Sequence, residues 1–370
     1  MSAIPTRSAS TALSNIYLPK GLPDTAEEAL VYLYFKSHNT GNDEYMGMVN
    51  RFVEMFPKNA EGYYRRSTPL IDLHRFDEAD SDLQTYMSMV EDKASGHYYV
   101  ASAIFNKLSL QPEPVYEKWT YDVALQNVDK ALELVAAQTV DEKQKQSANE
   151  QYNILKTQIL MAKCDYDAAI ALYEQMNQGE GKSPSYLYAI SIAKEQRGDS
   201  LVDVIAPLDS AIAMMGEPLP ADAANYVLRR GQLFANAGKY RDAVKDYNQY
   251  CYLVNNRVND VFYFERSQLE TNARMFQQAL TDINMALEMA PNNVVYCLEK
   301  ASLCIRVNML DECIAACEKA IKLKPDVVDS YRILGYALIQ KGDKTTARKH
   351  LQRAVDMGDE NAKTIMKTYL

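Results

Sequence analysis

The sequence predicts an all-α fold built from tandem pairs of helices, and a regular period of 34 residues is the first observation that predicts it. Residues 260–361 divide into three consecutive blocks of that length, which begin at Asp260, Val294 and Val328. Small residues recur at the eighth, twentieth and twenty-seventh places of each block. They are Ser267, Ala301 and Gly335; Ala279, Cys313 and Ala347; and Ala286, Ala320 and Ala354. A fixed period of this size is typical of stacked helical units rather than of one globular core.

Each block is expected to contain two helices that pack closely. The small residues at the eighth and twentieth places face each other across the pair and let the two backbones approach. Pro291 and Pro325 end the second helix of their blocks because proline cannot continue the hydrogen-bond ladder. One pair cannot bury its apolar stripe alone, whereas a stack can. The alanines that we expect to be buried against the first helix of their own units are Ala79, Ala169, Ala243, Ala279 and Ala347.

The same frame extends towards the N-terminus and predicts nine units. Residues 1–24 are rich in Ser, Thr, Ala and Pro and are expected to form an extended arm or linker, followed by a repeat array over residues 25–370. Asp24 or Thr25 can cap the first helix. The units are expected near residues 26–59, 60–93, 94–138, 150–183, 184–217, 224–257, 260–293, 294–327 and 328–361, with a capping helix at 360–370.

Three features depart from the regular frame. An insertion at Gln111–Thr120 separates the helices of the third unit and carries Trp119, the only tryptophan of the chain. We expect Trp119 either to cover apolar surface at a repeat junction or to contact a partner. The polar stretch Thr139–Asn149 is a helix extension or a linker, and the fifth unit needs one extra residue near Gly198 to stay in register.

A helix–turn–helix unit of this length, with small residues at these places, resembles the tetratricopeptide repeat. The resemblance implies a right-handed α-solenoid, a superhelix of about nine units whose first helices line a concave groove. It also implies a non-enzymatic scaffold that binds a peptide or protein partner in that groove. The alternative is a protein of a bacterial cell envelope that binds a small molecule or glycan on the same solenoid.

The family resemblance also indicates where a ligand would bind. In this family the second, fifth, ninth, twelfth and thirteenth places of the first helix commonly face the ligand, with the sixth at the edge of the groove. The candidate groove residues at such places are Tyr64, Arg65, Gln158, Arg229, Gln232, Asn236, Gln268, Asn272, Arg332 and Tyr336. Amide and hydroxyl groups can bind the backbone of an extended peptide, and arginine can bind a carboxylate. The competing interpretation is an ordinary solvated face.

Charge and hydropathy argue against several classes of partner. A net charge of −9 and a pI near 5.2 argue against non-specific nucleic-acid binding, which needs a basic surface. No run approaches the roughly 18 apolar residues of a membrane span, and residues 1–20 lack the apolar core of a signal peptide. We therefore expect a cytoplasmic location by default, and a periplasmic or envelope-associated one if a native signal segment has been removed. The oligomeric state is left open.

The sequence lacks the common catalytic and metal-binding patterns. Cys297, Cys304, Cys313 and Cys317 lie close together, but their spacing does not match paired zinc ligands. They fall at core places of one unit, where cysteine packs as a small apolar side chain. The chain has no HExxH pair, nucleophile elbow, P-loop or GxGxxG loop. We therefore expect no catalytic residue, metal or cofactor, and no disulfide among these four cysteines.

Overall fold

A computed structural model of the chain describes residues 22–139, 141–178 and 182–370. Contacts divide the chain into two compact units, unit 1 (Met1–Gln178) and unit 2 (Gly179–Leu370). No strand occurs in the described ranges, so the predicted all-α class is confirmed. No helix in those ranges has the length and apolar character that a membrane crossing requires. Most of the predicted N-terminal arm, residues 1–21, lies outside the described residues.

The described part of unit 1 consists of helices that pair in chain order, through short turns except at the Gln111–Thr120 insertion. The helices described there are α1 (Ala26–Ser37), α2 (Asn42–Met55), α3 (Ala60–Asp72), α4 (Phe76–Met89), α5 (Lys93–Leu110), α6 (Tyr121–Ala137), α7 (Glu142–Ala162) and α8 (Tyr166–Met176). Each packs mainly against the helices before and after it. Helix α7 begins at Glu142, upstream of the regular frame, so most of the polar stretch Thr139–Asn149 extends a helix.

Unit 2 repeats the same arrangement and ends in a single helix. Its helices are α9 (Pro184–Arg197), α10 (Leu201–Met214), α11 (Ala224–Asn236), α12 (Tyr240–Leu253), α13 (Asp260–Asn272), α14 (Phe276–Met289), α15 (Val294–Arg306), α16 (Leu310–Leu323), α17 (Val328–Lys341), α18 (Lys344–Asp356) and α19 (Glu360–Tyr369). A 3₁₀ turn at Ala221–Ala223 precedes α11. The exact limits of the nine units remain a prediction.

The small residues lie where the period places them. Ala79, Ala169, Ala243, Ala279 and Ala347 are each 0% exposed, so their predicted burial is confirmed. Gly335 shows why the pairs need small residues, since a Cβ added there would lie 2.5 Å from Leu351 Cγ on the partner helix. The four clustered cysteines are also buried, within α15 and α16, as core packing predicts. The period therefore locates the core of each pair.

In the described ranges, one backbone position recurs in the turn between the two helices of seven pairs. The residue there has a positive φ angle in each case: His74, Cys164, Gly198, Gly238, Arg274, Asn308 and Gly342. The amide of the following residue donates to the carbonyl five residues earlier, as Met275 does to Glu270 at 2.7 Å. This left-handed closure is the Schellman motif, which satisfies the last carbonyls of the first helix. Only glycine adopts it without a steric cost.

Arg274→Gly is therefore expected to stabilise the chain by about 0.5–1 kcal/mol. The left-handed conformation costs a residue with a Cβ roughly 1–2 kcal/mol, and the greater flexibility of glycine in the unfolded chain offsets part of that gain. Arg274 is exposed and has a φ angle of 61°, so little packing is lost. The measurement is the midpoint of urea unfolding, with Arg274→Ala as the matched control. If the urea midpoint of Arg274→Gly is no higher than that of Arg274→Ala, the left-handed conformation of Arg274 carries no such cost.

A buried ion pair joins the two helices of three pairs among the residues that the structure describes. An arginine of the first helix donates through Nε and one terminal nitrogen to both carboxylate oxygens of an aspartate sixteen residues later. The pairs are Arg66–Asp82, Arg230–Asp246 and Arg266–Asp282. The remaining nitrogen of each arginine donates to a side chain of the preceding second helix, namely Asn50, Asp209 and Asn248 respectively. Each arginine therefore connects successive pairs as well as the helices of one pair.

The insertion at Gln111–Thr120 forms a fixed loop on the N-terminal end of α4. The Lys107 ammonium is buried and donates to the carbonyls of Pro112 at 2.9 Å and Pro114 at 2.7 Å. Trp119 is 3% exposed, and its indole N–H donates to Asp80 at 2.9 Å. Trp119 thus covers apolar surface at a repeat junction, which was one of the two expectations.

Candidate functional site

First helices of neighbouring pairs enclose a polar and aromatic cavity in unit 2. The cavity measures about 330 Å³ and lies between α9 and α11. Its lining residues are Ser185 and Tyr188 from α9, and Asn225, Tyr226, Leu228, Arg229 and Gln232 from α11. Two predicted groove residues, Arg229 and Gln232, therefore meet in one cavity. Hydroxyl, carboxamide and aromatic groups around such a space suit the backbone and side chains of a peptide.

The charged group of this cavity is already paired. Arg229 donates through a terminal nitrogen to the Glu195 carboxylate, while its Nε is buried and has no hydrogen-bond partner among the described residues. Tyr188 and Tyr226 pack edge to face with centroids 5.4 Å apart. Burial raises the pKa of Tyr226, so its hydroxyl stays neutral and can donate or accept a hydrogen bond. The cavity thus offers mainly uncharged groups to a ligand.

Four other predicted residues also present free carboxamides. Asn236, Gln268 and Asn272 lie on the first helices α11 and α13, and Gln158 lies on α7 in unit 1. All four side chains are exposed, and within the described parts of the chain none makes a side-chain hydrogen bond. These amides are available for an external partner.

The predicted arginines are engaged inside the protein, which argues against using them to bind a ligand carboxylate. Arg65 forms an ion pair with Glu61 at 3.0 Å. Arg332 pairs with Asp329 and, at 2.8 Å, with Asp359. Asp359 is the N-cap of α19, so Arg332 helps to attach the last helix. Exchanging these internal partners for a ligand would cost much of the energy gained.

The two predicted tyrosines pack against other rings. Tyr64 is half-buried, with its centroid 5.0 Å from that of Tyr99. Tyr336 contacts Tyr369 of the capping helix edge to face at 6.2 Å. Both rings therefore contribute to packing and are only partly accessible to a partner.

Sequence reasoning missed the contribution of α9. Ser185 and Tyr188 occupy the second and fifth places of the unit that begins at residue 184, so the signal was present. That unit needs a one-residue register shift near Gly198. Its first helix lies before the shift and keeps the regular spacing.

Comparison with known proteins supports the repeat assignment. A sequence model described as "Tetratricopeptide repeat" matches residues 294–327. Human tetratricopeptide repeat protein 13 is 26% identical over 195 residues, which is 52% of this chain and 22% of that protein. The match thus spans less than a quarter of the relative.

Solved structures of repeat proteins are also similar in part. One is a tetratricopeptide repeat protein from Parabacteroides merdae, 15% identical, with a TM-score of 0.38 over 71% of this chain and 98% of that one. Another is YrrB, described as a repeat protein with an unusual peptide-binding site, 15% identical, with a TM-score of 0.44 over 53% and 97%. The family match at residues 294–327, the human relative and the 34-residue helix pairs agree. Residues 294–327 therefore match the tetratricopeptide repeat, and the helix pairs that begin at Asp260 and Val328 repeat its length.

Proposed function

We propose that the chain is a non-enzymatic scaffold that holds an extended peptide segment of a protein partner against the first helices of its repeats. The observation that carries this proposal is the α9–α11 cavity, where Tyr188, Asn225 and Gln232 converge. Successive repeats present their first helices side by side, so an extended segment can contact several of them at once. We include the free amides Asn236, Gln268 and Asn272 in the same binding face of unit 2.

Neutral groups are proposed to carry the recognition. Carboxamides donate to backbone carbonyls and accept from backbone amides, so they bind a peptide whatever its side chains. Arg229 is neutralised by Glu195 and therefore contributes orientation more than charge. Binding at this face is accordingly expected to depend only weakly on salt, since few free charges take part.

The double variant Asn225→Ala/Gln232→Ala is expected to weaken peptide binding about tenfold or more. Each lost hydrogen bond contributes roughly 0.5–1.5 kcal/mol, and about 1.4 kcal/mol corresponds to a factor of ten. Phage-displayed random peptides selected on the immobilised full chain supply the ligands, and fluorescence anisotropy measures their Kd values. Arg229 is left intact because its removal would leave the Glu195 carboxylate without its partner.

Matched controls lie on the second helices. Lys245→Ala on α12 and Lys319→Ala on α16 change exposed side chains away from the cavity and are expected to leave every Kd unchanged. The proposal fails if no peptides are enriched. It also fails if the lysine variants lose binding while the Asn225/Gln232 variant retains it, because the binding face is then the other one.

A further inference from the structure

The acidic residues of the chain are concentrated in unit 1. Its residues 22–178 carry 25 acidic and 14 basic side chains, whereas residues 182–370 carry 23 acidic and 24 basic ones. Unit 2 is therefore close to neutral, and unit 1 accounts for the acidic balance of the whole protein. A surface of one sign attracts partners of the opposite sign and repels others. The net charge of unit 1 therefore favours partners that carry positive charge.

A row of tyrosines joins three successive first helices of unit 1 and the second helix α4. This tyrosine cluster consists of Tyr64 on α3, Tyr86 on α4, Tyr98 and Tyr99 on α5, and Tyr152 on α7. The Tyr64 and Tyr99 centroids lie 5.0 Å apart, and Tyr98 stacks on Tyr152 at 4.8 Å with an interplanar angle of 21°. Tyr98 and Tyr99 pack edge to face at 5.4 Å.

Two tyrosines of the cluster are buried in the core, and they hold the three more accessible rings in place. Tyr86 and Tyr152 are 3% and 4% exposed, whereas Tyr64, Tyr98 and Tyr99 are only half-buried. Because the inner rings are held in the core, the outer rings are preorganised and lose little freedom when a ligand packs on them. Tyr98 is oriented further by Gln151, which donates to its hydroxyl at 3.1 Å.

Two carboxylates accompany these rings. Glu61 lies one turn before Tyr64 on α3, and Asp92 is the N-cap of α5. Burial and then the charge of Glu61 raise the pKa of Tyr99, and Asp92 acts in the same direction. Arg65 forms an ion pair with Glu61 at 3.0 Å, so Glu61, Asp92 and Arg65 together leave one net negative charge beside the rings, which the loss of either carboxylate would remove.

We propose that the tyrosine cluster, with Glu61 and Asp92, binds an arginine side chain of a basic extended peptide. The negative faces of tyrosine rings attract cations, and a planar guanidinium also stacks on them. Carboxylates beside the rings add attraction that depends on salt. The inference shares with the proposed function only the assumption of a peptide ligand, since it concerns unit 1 and a charged side chain rather than the neutral α9–α11 cavity.

The test uses the full chain and a fluorescent peptide of alternating glycine and arginine at low ionic strength. In the matched peptide every arginine is replaced by citrulline, which keeps the shape and removes the charge. We expect the citrulline peptide to bind at least roughly tenfold more weakly. Tyr98→Leu is expected to weaken arginine-peptide binding roughly 5- to 30-fold. Tyr98→Phe keeps the ring and should stay within about twofold of the unaltered chain.

Charge controls separate the cluster from the general acidity of unit 1. Glu61→Gln is expected to weaken arginine-peptide binding, whereas Glu117→Gln, which removes an equal charge on the insertion loop, should not. Fluorescence of the buried Trp119 verifies that unit 1 of each variant is folded. If Tyr98→Leu fails to fold, the comparison of Glu61→Gln with Glu117→Gln decides the question.

Three results would overturn the inference. They are equal binding of the arginine and citrulline peptides, equal weakening by the two glutamate variants, and unchanged binding by folded Tyr98→Leu and Glu61→Gln proteins. The Asn225→Ala/Gln232→Ala variant should bind the arginine peptide normally, so failure here is distinguishable from failure of the proposal for unit 2.

Discussion

Replacing Arg266 by alanine is expected to lower the free energy of unfolding by about 3–5 kcal/mol, because it leaves a buried charge without its partner. Arg266 Nε and a terminal nitrogen donate to the two oxygens of Asp282 at 2.5 and 2.8 Å. The side chains are 13% and 6% exposed, so water cannot replace the lost bonds. The third nitrogen reaches Asn248 on α12 at 3.1 Å, and the substitution therefore also loosens the junction with the preceding pair.

The measurement is urea unfolding followed by far-UV circular dichroism, with hydrogen exchange on α13 and α14. Arg75→Ala is the matched control, because Arg75 pairs with Glu78 on the surface, where both side chains are about half exposed. An exposed pair contributes roughly 0–1 kcal/mol. The double variant Arg266→Met/Asp282→Leu should recover most of the loss, since an apolar pair of similar volume removes both charges. If Arg266→Ala and Arg75→Ala lower the free energy of unfolding by similar amounts, the buried Arg266–Asp282 pair contributes little to stability.

The sequence period predicts the packing of the helices better than it predicts their polar contacts. Ala279 and Ala347 could be placed in the core because a small residue recurs where two backbones approach. The Arg266–Asp282 pair was missed, although its sixteen-residue spacing occurs in three units. Charged side chains in a repeat are usually assigned to solvent, and only the structure shows that both ends of this pair point between helices.

The candidate site was predictable to a similar extent. The fold of the repeat places Gln232 and Arg229 on the first helix, and the structure finds both in the α9–α11 cavity. The pairing of Arg229 with Glu195 joins helices of two successive units, and its formation depends on side-chain rotamers that no spacing rule describes. The sequence therefore predicted two of the residues that line the cavity, but neither the α9 residues nor which groups remain available to a ligand.

Glu270 provides the second large expected effect, through the pH dependence of stability. Its side chain is 3% exposed, and Oε2 is buried with no hydrogen-bond partner in the described ranges. Burial, followed by the charge of Asp282, raises the pKa of Glu270 from 4.5 to about 8, while Arg266 acts in the opposite direction. The folded protein thus holds a neutral carboxyl at neutral pH.

The sign of the effect follows from proton binding. Below pH 4.5 the Glu270 carboxyl is protonated in both the folded and the unfolded state, so its ionisation does not yet lower the free energy of unfolding. Between pH 4.5 and about 8 the unfolded chain loses this proton while the folded protein keeps it, and stability falls by up to about 1.4 kcal/mol per pH unit. Above that range the loss is complete. The total loss in the free energy of unfolding is on the order of several kcal/mol.

Glu270→Gln is therefore expected to stabilise the protein near pH 8 and to remove this slope, because the amide cannot ionise. Urea unfolding between pH 5 and pH 8 measures the slope, with Glu265→Gln, an exposed glutamate on the same helix, as the control. A slope that persists unchanged in Glu270→Gln would show that other groups produce it. Arg266 links the two predictions: since its charge lowers the pKa of Glu270, Arg266→Ala should raise that pKa further and extend the decline in stability to higher pH.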